Sequence, residues 1–406
     1  MILKLQKITY TGVLASLLLQ PFGALAYKEP THEKMSEAAA SVSDLSKMDK
    51  LNDMGLAFSI IDEKQKFPNS RGGLSKTIIQ LVQDGANFED KDSRALNHFF
   101  NPLTNQPLTI FSFSIFNATS PDWALEDKGD IANNIGGAQE FSYKDARQSF
   151  YKALTAPAKT DRDKNFGLTF QTLGQIIHHL QDMVQPQHVR NDAHLDRGSL
   201  EIFGLQLNPL YNPSAYEIYT DQHNGTLLYT GYAPVNSASD TNVLTTPRSF
   251  WHTAQGGGLG IAEFTNRNFV SAGTNFDTSR YPSPSLAQAV AHAEDANALL
   301  QSVGIAPPAE CPPTLAGEPL KCTMTFYRTT VNDTYRPSES RTNEKTSTSS
   351  IFDQNLVVKG LAPVSRLNRF NFNAAHEFLI PRAVGYSAGL INYFFRNSLQ
   401  GAKHEA

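Results

Sequence analysis

The segment Leu173-Gly-Gln-Ile-Ile-His178-His179-Leu-Gln-Asp182-Met-Val-Gln-Pro186-Gln-His188-Val-Arg-Asn191-Asp-Ala-His194 constrains the fold more than any other part of this chain. Its apolar positions Leu173, Ile176, Ile177 and Leu180 recur at helical spacing, so the first half is predicted to be a helix. His178 and Asp182 stand at i and i+4, one above the other on a single face. Pro186 lacks an N–H and restricts the residue before it, so the helix has to end there. His188 and His194 follow the break, where the chain can fold them back toward the same point. Two ligands from a helix and more from the turn after it suit a metal site, and the mix of imidazole and carboxylate favours zinc.

A single buried histidine is more often a hydrogen-bonded core residue than a ligand. The metal reading prevails here because matching residues recur elsewhere at useful spacing. Asp84, Glu89, Asp90, Asp92 and His98 form an acidic stretch with one histidine, and Thr31-His32 heads an alanine-rich helical pattern. His179 points about 100° away from His178 around the helix, so it is expected to hydrogen-bond in the core. His252, His292 and His376 stand alone and are read as structural.

The pattern L-G-x-x-x-H-x-x-x-D-x-x-Q-P-x-H-x-x-N is met in full by Leu173, Gly174, His178, Asp182, Gln185, Pro186, His188 and Asn191. Asp84, His98, Phe99, Asn101 and Pro102 add an Asp followed 14 residues later by His-Phe, then a polar residue and Pro. Together these motifs resemble those of the bacterial zinc-dependent phospholipases C, whose fold is related to the fungal single-strand-specific zinc nucleases. The resemblance covers the motifs of residues 27–205, and looser similarity continues through Glu263-Phe-Thr-Asn266-Arg-Asn268 and residues 380–390. It implies a mainly α, multi-helix core and three zinc ions. One would be held by His98, His178, Asp182 and an upstream carboxylate, either Asp84 or Asp90, with the other acting behind it or as general base. Asp182 would bridge to a second ion held by His32 and the new amino terminus, Tyr27, where the family usually has Trp. His188, His194 and Glu201 would hold the third. The family spaces that last His and Glu four apart, whereas position 198 here is Gly198, which leaves Asp196 as the other choice.

Composition sets the remaining bounds. With 406 residues, 40% hydrophobic and 18% charged, the chain can fold as one large or two moderate domains. A net charge of −4 argues against a nucleic-acid binder held by phosphate contacts. No interior run is apolar enough for a spanning helix. At the start, Lys4 and Lys7, the apolar run Val13–Leu19 and Ala24-Leu25-Ala26 make a signal peptide over residues 1–26. Export to a secreted or periplasmic location in turn makes Cys311 and Cys322, 11 residues apart in a Pro-rich stretch, a small disulfide-closed loop.

Helices are predicted over 31–48, 50–63, 74–86, 143–154, 166–184, 285–303 and 374–396, the last kinked or divided at Pro381. Phe111–Phe116 reads as a short strand or an aromatic loop, and the segment after 205 as mostly loop. The organisation expected is a helical catalytic domain over 27–303, a small β-rich insertion over 304–365 and a C-terminal helix over 366–406 packed on the core. Gly385-Tyr-Ser387-Ala-Gly389 matches the G-x-S-x-G elbow of serine hydrolases. No strand precedes it and only 17 residues follow, so small-residue helix packing explains it better. The function expected is that of a monomeric, peripheral zinc phospholipase C acting on phosphatidylcholine-like lipid at membrane surfaces. Phe99, Phe100, Phe111, Phe113 and Phe116 are candidates for the wall of a choline-accepting cleft. The alternatives are a zinc-dependent single-strand nuclease or 3′-nucleotidase and a non-catalytic surface protein.

Overall fold

A computed structural model describes residues 29–110, 113–114, 117–131, 133–134, 136–192, 201–202, 205–206, 214–254, 258–271, 290–302, 304, 323–349 and 365–404. Among them the fold is mainly α. In chain order the helices are α1 (Glu29–Val42), α2 (Met48–Asp53), α3 (Ile78–Glu89), α4 (Ser120–Leu125), α5 (Tyr143–Thr155), α6 (Lys159–Asp182), α7 (Ala215–Gln222), α8 (Ile261–Asn268), α9 (Ala296–Ser302) and α10 (Phe372–His404). Hairpins β1–β2 (Thr109–Ile110, Phe113–Ser114) and β3–β4 (Glu201–Ile202, Leu205–Gln206) are small. Strands β5 (Val290–Asp295), β6 (Thr323–Val331), β7 (Arg341–Ser349) and β8 (Ser365–Arg366) form one antiparallel sheet in that order.

Helix α6 is the axis. Its first turn is polar and solvated, whereas from Phe166 to Asp182 it is buried almost all round, which makes it a core helix rather than an amphipathic surface one. It packs against α1, α3, α5 and α10. The shared core includes Leu173, Ile176, Ile177 and Leu180 of α6, Leu81 and Val82 of α3, and Leu390, Ile391 and Phe395 of α10. Each such side chain contributes about 1.5–3 kcal/mol on burial.

Two glycines set how close α3 and α6 come. A Cβ on Gly85 would lie 1.9 Å from Gln171 O, and one on Gly174 would lie 2.0 Å from Val82 O. Backbone therefore rests on backbone at this crossing. Real Cβ atoms never approach so closely, so only glycine fits at either place. The crossing brings the C-terminal ends of α3 and α6 side by side, and Asp90 and Asp182 with them.

Several sequence expectations need correcting. The helix expected over 50–63 stops at Asp53, because Gly55 adopts φ +75 and turns the chain away. Residues 290–295 of the expected 285–303 helix form β5, paired along β6, so the β-rich part begins before residue 304. Their apolar spacing imitated a helix, yet Val290 is 64% exposed and the pairing is a backbone matter. The loop-rich segment after 205 holds α7 and α8. Helix α10 runs unbroken through Pro381, so it is not divided there. Cys311, Cys322 and the leader at 1–26 lie outside the described residues.

Within α10, Gly385 and Gly389 lie against the segment 232–235, where Val235 N donates to Gly385 O at 3.1 Å. Ser387 between them is fully buried in the helix, as small-residue packing requires. His376 is also buried, with Nε2 2.8 Å from Thr220 Oγ1. Burial, with His223 adding, pushes its imidazole down to about 3.

Gly174→Ala is expected to destabilise the protein by about 1–3 kcal/mol or more, since the added methyl forces the helices apart; urea unfolding of the metal-free protein measures this. His376 is neutral when folded and ordinary when unfolded, so its contribution is intact above pH 6.5 and is lost as pH falls from 6.5 toward about 3. His376→Gln should therefore flatten the stability profile over that window, leaving a smaller difference between pH 7 and pH 4 than the parent shows.

Candidate metal centre

The last turn of α6 presents His178 and Asp182 on one face, and the C-cap of α3 presents Asp90 beside them. A 3-10 helix over Asp92–Asn97 then delivers His98. His178 Nε2 lies 3.3 Å from His98 Nδ1 and 3.4 Å from Asp90 Oδ1. His98 Nδ1 lies 3.6 Å from Asp90 Oδ1, and Asp182 Oδ2 is 2.8 Å from His98 Nδ1 and 3.2 Å from His178 Nε2. Zinc bonds of about 2.0–2.2 Å in a tetrahedron require donor atoms about 3.3–3.6 Å apart. Four of the five separations fall close to that range and one is shorter. All four side chains are buried, and neither Asp90 oxygen accepts a hydrogen bond among the described residues. An ionised carboxylate left so would be costly, and a cation between these donors removes the cost.

Asp182 faces two ways. Its Oδ1 lies 3.5 Å from His32 Nε2 and 3.7 Å from His188 Nδ1, and accepts from Gln185 Nε2 at 3.2 Å. The His32 ring stacks on His178 at 3.8 Å between centroids. On the far side, His188 Nε2 lies 3.7 Å from Glu217 Oε1. Burial alone would raise the Asp182 carboxyl. His178, then His98 and His188, outweigh this and hold it well below the usual carboxylate range. Against the same burial, Asp182 and Asp90 raise His178 well above an ordinary imidazole. The groups His32–Asp90–His178 and His98–His178–Asp182 are each close enough to hold a metal ion, and their chemistry is compatible with zinc.

Local sequence explains the placement. Pro186 begins a tight turn in which His188 N donates to Gln185 O, and Phe100 N donates to His188 O. Asn191 takes φ +55, and its amide brackets Thr109, with Oδ1 accepting from Thr109 N at 2.7 Å. Asn266 of α8 donates to Val189 O at 2.7 Å. Glu263, near the start of the same helix, accepts backbone N–H groups from Thr253, Ala254, Gly258 and Gly260. Asn266 of the looser motif therefore braces the turn that carries His188, while Glu263 ties down the loop that leads into its own helix.

Asp84 is not part of this group. It sits six residues before Asp90, about 9 Å along the helix. Its carboxylate pairs with Lys76 at 2.8 Å and accepts from Gln171 at 2.6 Å. Of the two upstream candidates, the geometry joins Asp90 to the cluster. His179 turns away as expected. Its Nε2 lies 3.1 Å from Glu89 Oε1 and its Nδ1 3.3 Å from Ser120 Oγ, and burial pushes the ring down to about 4. Glu89 also receives Arg94 at 2.8 Å and Trp123 Nε1 at 2.7 Å, so its oxygens are already engaged. Although Glu89, His98 and His179 are also close enough to hold an ion, those bonds occupy the carboxylate. Tyr27, His194, Asp196 and Gly198 lie outside the described residues, as does the Glu201 side chain.

Glu217 was not found from the sequence. As the third residue after the N-cap Ser214 of α7, it reads as an ordinary capping glutamate. Ser214 Oγ does accept from Glu217 N, but the carboxylate is turned to His188, and Gln187 Nε2 donates to Ser214 Oγ at 3.0 Å. Phe99 and Phe100 are both buried. Phe99 stacks on His188 at 4.3 Å, so it packs the metal turn rather than lining an open wall. Phe111, Phe113 and Phe116 have no described side chains.

No protein-family model matches this chain, and no curated protein matches it.

Asp90→Asn should lose bound zinc on dialysis, whereas Asp84→Asn should keep it and lose only a partly exposed ion pair. Elemental analysis of the two purified variants checks this.

Proposed function

We propose that the chain is a zinc-dependent phosphodiesterase of the phospholipase C type, exported and acting on phosphatidylcholine-like lipid at membrane surfaces without spanning them. The observation that carries this reading is the two-way placement of Asp182, one oxygen facing His98 and His178 and the other facing His32 and His188. Around that carboxylate run three adjoining donor sets: Asp90–His98–His178, His32, and His188 with Glu217. These sets would suit three ions within a mainly α core, as the motif resemblance to the zinc phospholipases and nucleases implies, with Glu217 rather than Glu201 or Asp196 as the acid beside His188.

Bound zinc supplies charge that neutralises phosphate oxygens and acidifies an attacking water. The chain's own part is to hold the donor side chains in fixed positions. Asp182 keeps two sets of imidazoles at fixed separation, Gln185 steadies its Oδ1, and Phe99 fixes the His188 ring by stacking. Asp90 lies close enough to His98 and His178 to keep both rings oriented toward a shared cation. The lipid class rests on the motif resemblance and on a net charge of −4, which disfavours a polyanionic strand. Among the described residues no helix is long and apolar enough to cross a membrane, in keeping with a peripheral enzyme.

Purified mature protein should carry close to three zinc ions, release phosphocholine from phosphatidylcholine vesicles, and stop doing so with a chelator. Hydrolysis of single-stranded DNA instead of lipid would make it a nuclease, and zinc without either activity would make it a binding protein. Asp182→Asn should cost at least 100-fold in rate, while Ser387→Ala should leave the rate nearly unchanged with about 1 kcal/mol or less of stability lost.

A further inference from the structure

Gln181 precedes Asp182 on α6, about 100° around the helix from it, and it reaches α1 instead. Its Oε1 lies 2.7 Å from His32 Nδ1, and its Nε2 donates to Ser36 Oγ at 2.9 Å. His32 and Ser36 are one turn apart on the same face of α1. All three side chains are fully buried. With the amide NH2 directed at Ser36, the carbonyl oxygen faces the imidazole, and an acceptor there requires Nδ1 to carry the ring proton. That leaves the lone pair on Nε2, the atom 3.5 Å from Asp182 Oδ1.

We propose that Gln181 is a positioning residue that fixes the tautomer of His32, so that Nε2 is the nitrogen offered to a divalent metal ion shared with Asp182. The proposal rests on the metal-centre reading above. Ser36 holds the other end of the amide, its hydroxyl accepting from Gln181 Nε2. Without that anchor the side chain is free to rotate and to offer Nδ1 an N–H instead of an acceptor, which favours the other tautomer and puts a proton on the ligating nitrogen. A partner behind a ligating histidine is typically worth about 10- to 100-fold in metal affinity.

The test is zinc affinity by competition with a chromophoric chelator on the full chain, with cobalt(II) absorption as a report on the coordination itself. Gln181→Leu and Ser36→Ala should each weaken the least tightly held ion by about 10- to 100-fold. Gln181→Glu should retain parental affinity, because a carboxylate presents an acceptor whichever way it turns. In the Ser36→Ala background, Gln181→Glu should restore what Ser36→Ala lost, a rescue that a mere clasp between two helices would not give. Should Gln181→Leu fail to fold, the Ser36→Ala pair carries the test alone. Parental affinity and cobalt spectrum in both Gln181→Leu and Ser36→Ala, or no rescue by the glutamate, would overturn the proposal while leaving the metal centre standing. Absence of zinc from the parent protein would overturn both.

Discussion

Two carboxylates and four imidazoles share a space from which water is excluded, and much of the fold is arranged around that electrostatic demand. Asp90 and Asp182 are fully enclosed beside His32, His98, His178 and His188. Removing such charges from water costs several kcal/mol apiece unless opposite charge is at hand. Part of this is met between His178 and Asp182, each of which favours the charged form of the other against the burial of both. A divalent ion among these donors would meet it more completely. Stability and metal binding are then one quantity, because donors dispersed in the unfolded chain are reassembled only by folding.

The helices that bring these donors together depend on how near two backbones can lie. Gly85 and Gly174 let α3 and α6 touch at carbonyl oxygens, and a bulkier residue at either position would move Asp90 away from His178. Gly174 is thus required here for a steric reason, since a Cβ would lie 2.0 Å from Val82 O. The Glu89–Arg94–Trp123–His179 network lies immediately behind Asp90 and His98. Its carboxylate is taken up by Arg94, Trp123 and His179 and does not turn toward the candidate centre.

The core of the site was legible in the sequence because its donors sit at short, regular separations. The i, i+4 pair His178 and Asp182 and the break at Pro186 follow from helical geometry alone. Choosing Asp90 over Asp84 was beyond spacing, since both precede His98 on the same helix. Only the C-cap position of Asp90, at the crossing end, brings it to the imidazoles. Glu217 was hidden by a second role that a glutamate plays equally well at a helix start. The strand at 290–295 was hidden because sheet pairing draws on backbone groups, which apolar spacing does not report. The stop after Asp53 turned on one glycine conformation, which composition does not specify.

Depth also sets a clock. Because the donor side chains from His32 to His188 have essentially no contact with solvent, an ion held among them would be reached by water, substrate or a competing ligand only when the structure opens locally. The lifetime of such an ion would then be governed by how often that opening occurs, and only secondarily by the strength of the bonds to it. A centre built this way can remain loaded for long periods where free zinc is scarce, since kinetic retention does not require the surroundings to sustain equilibrium occupancy.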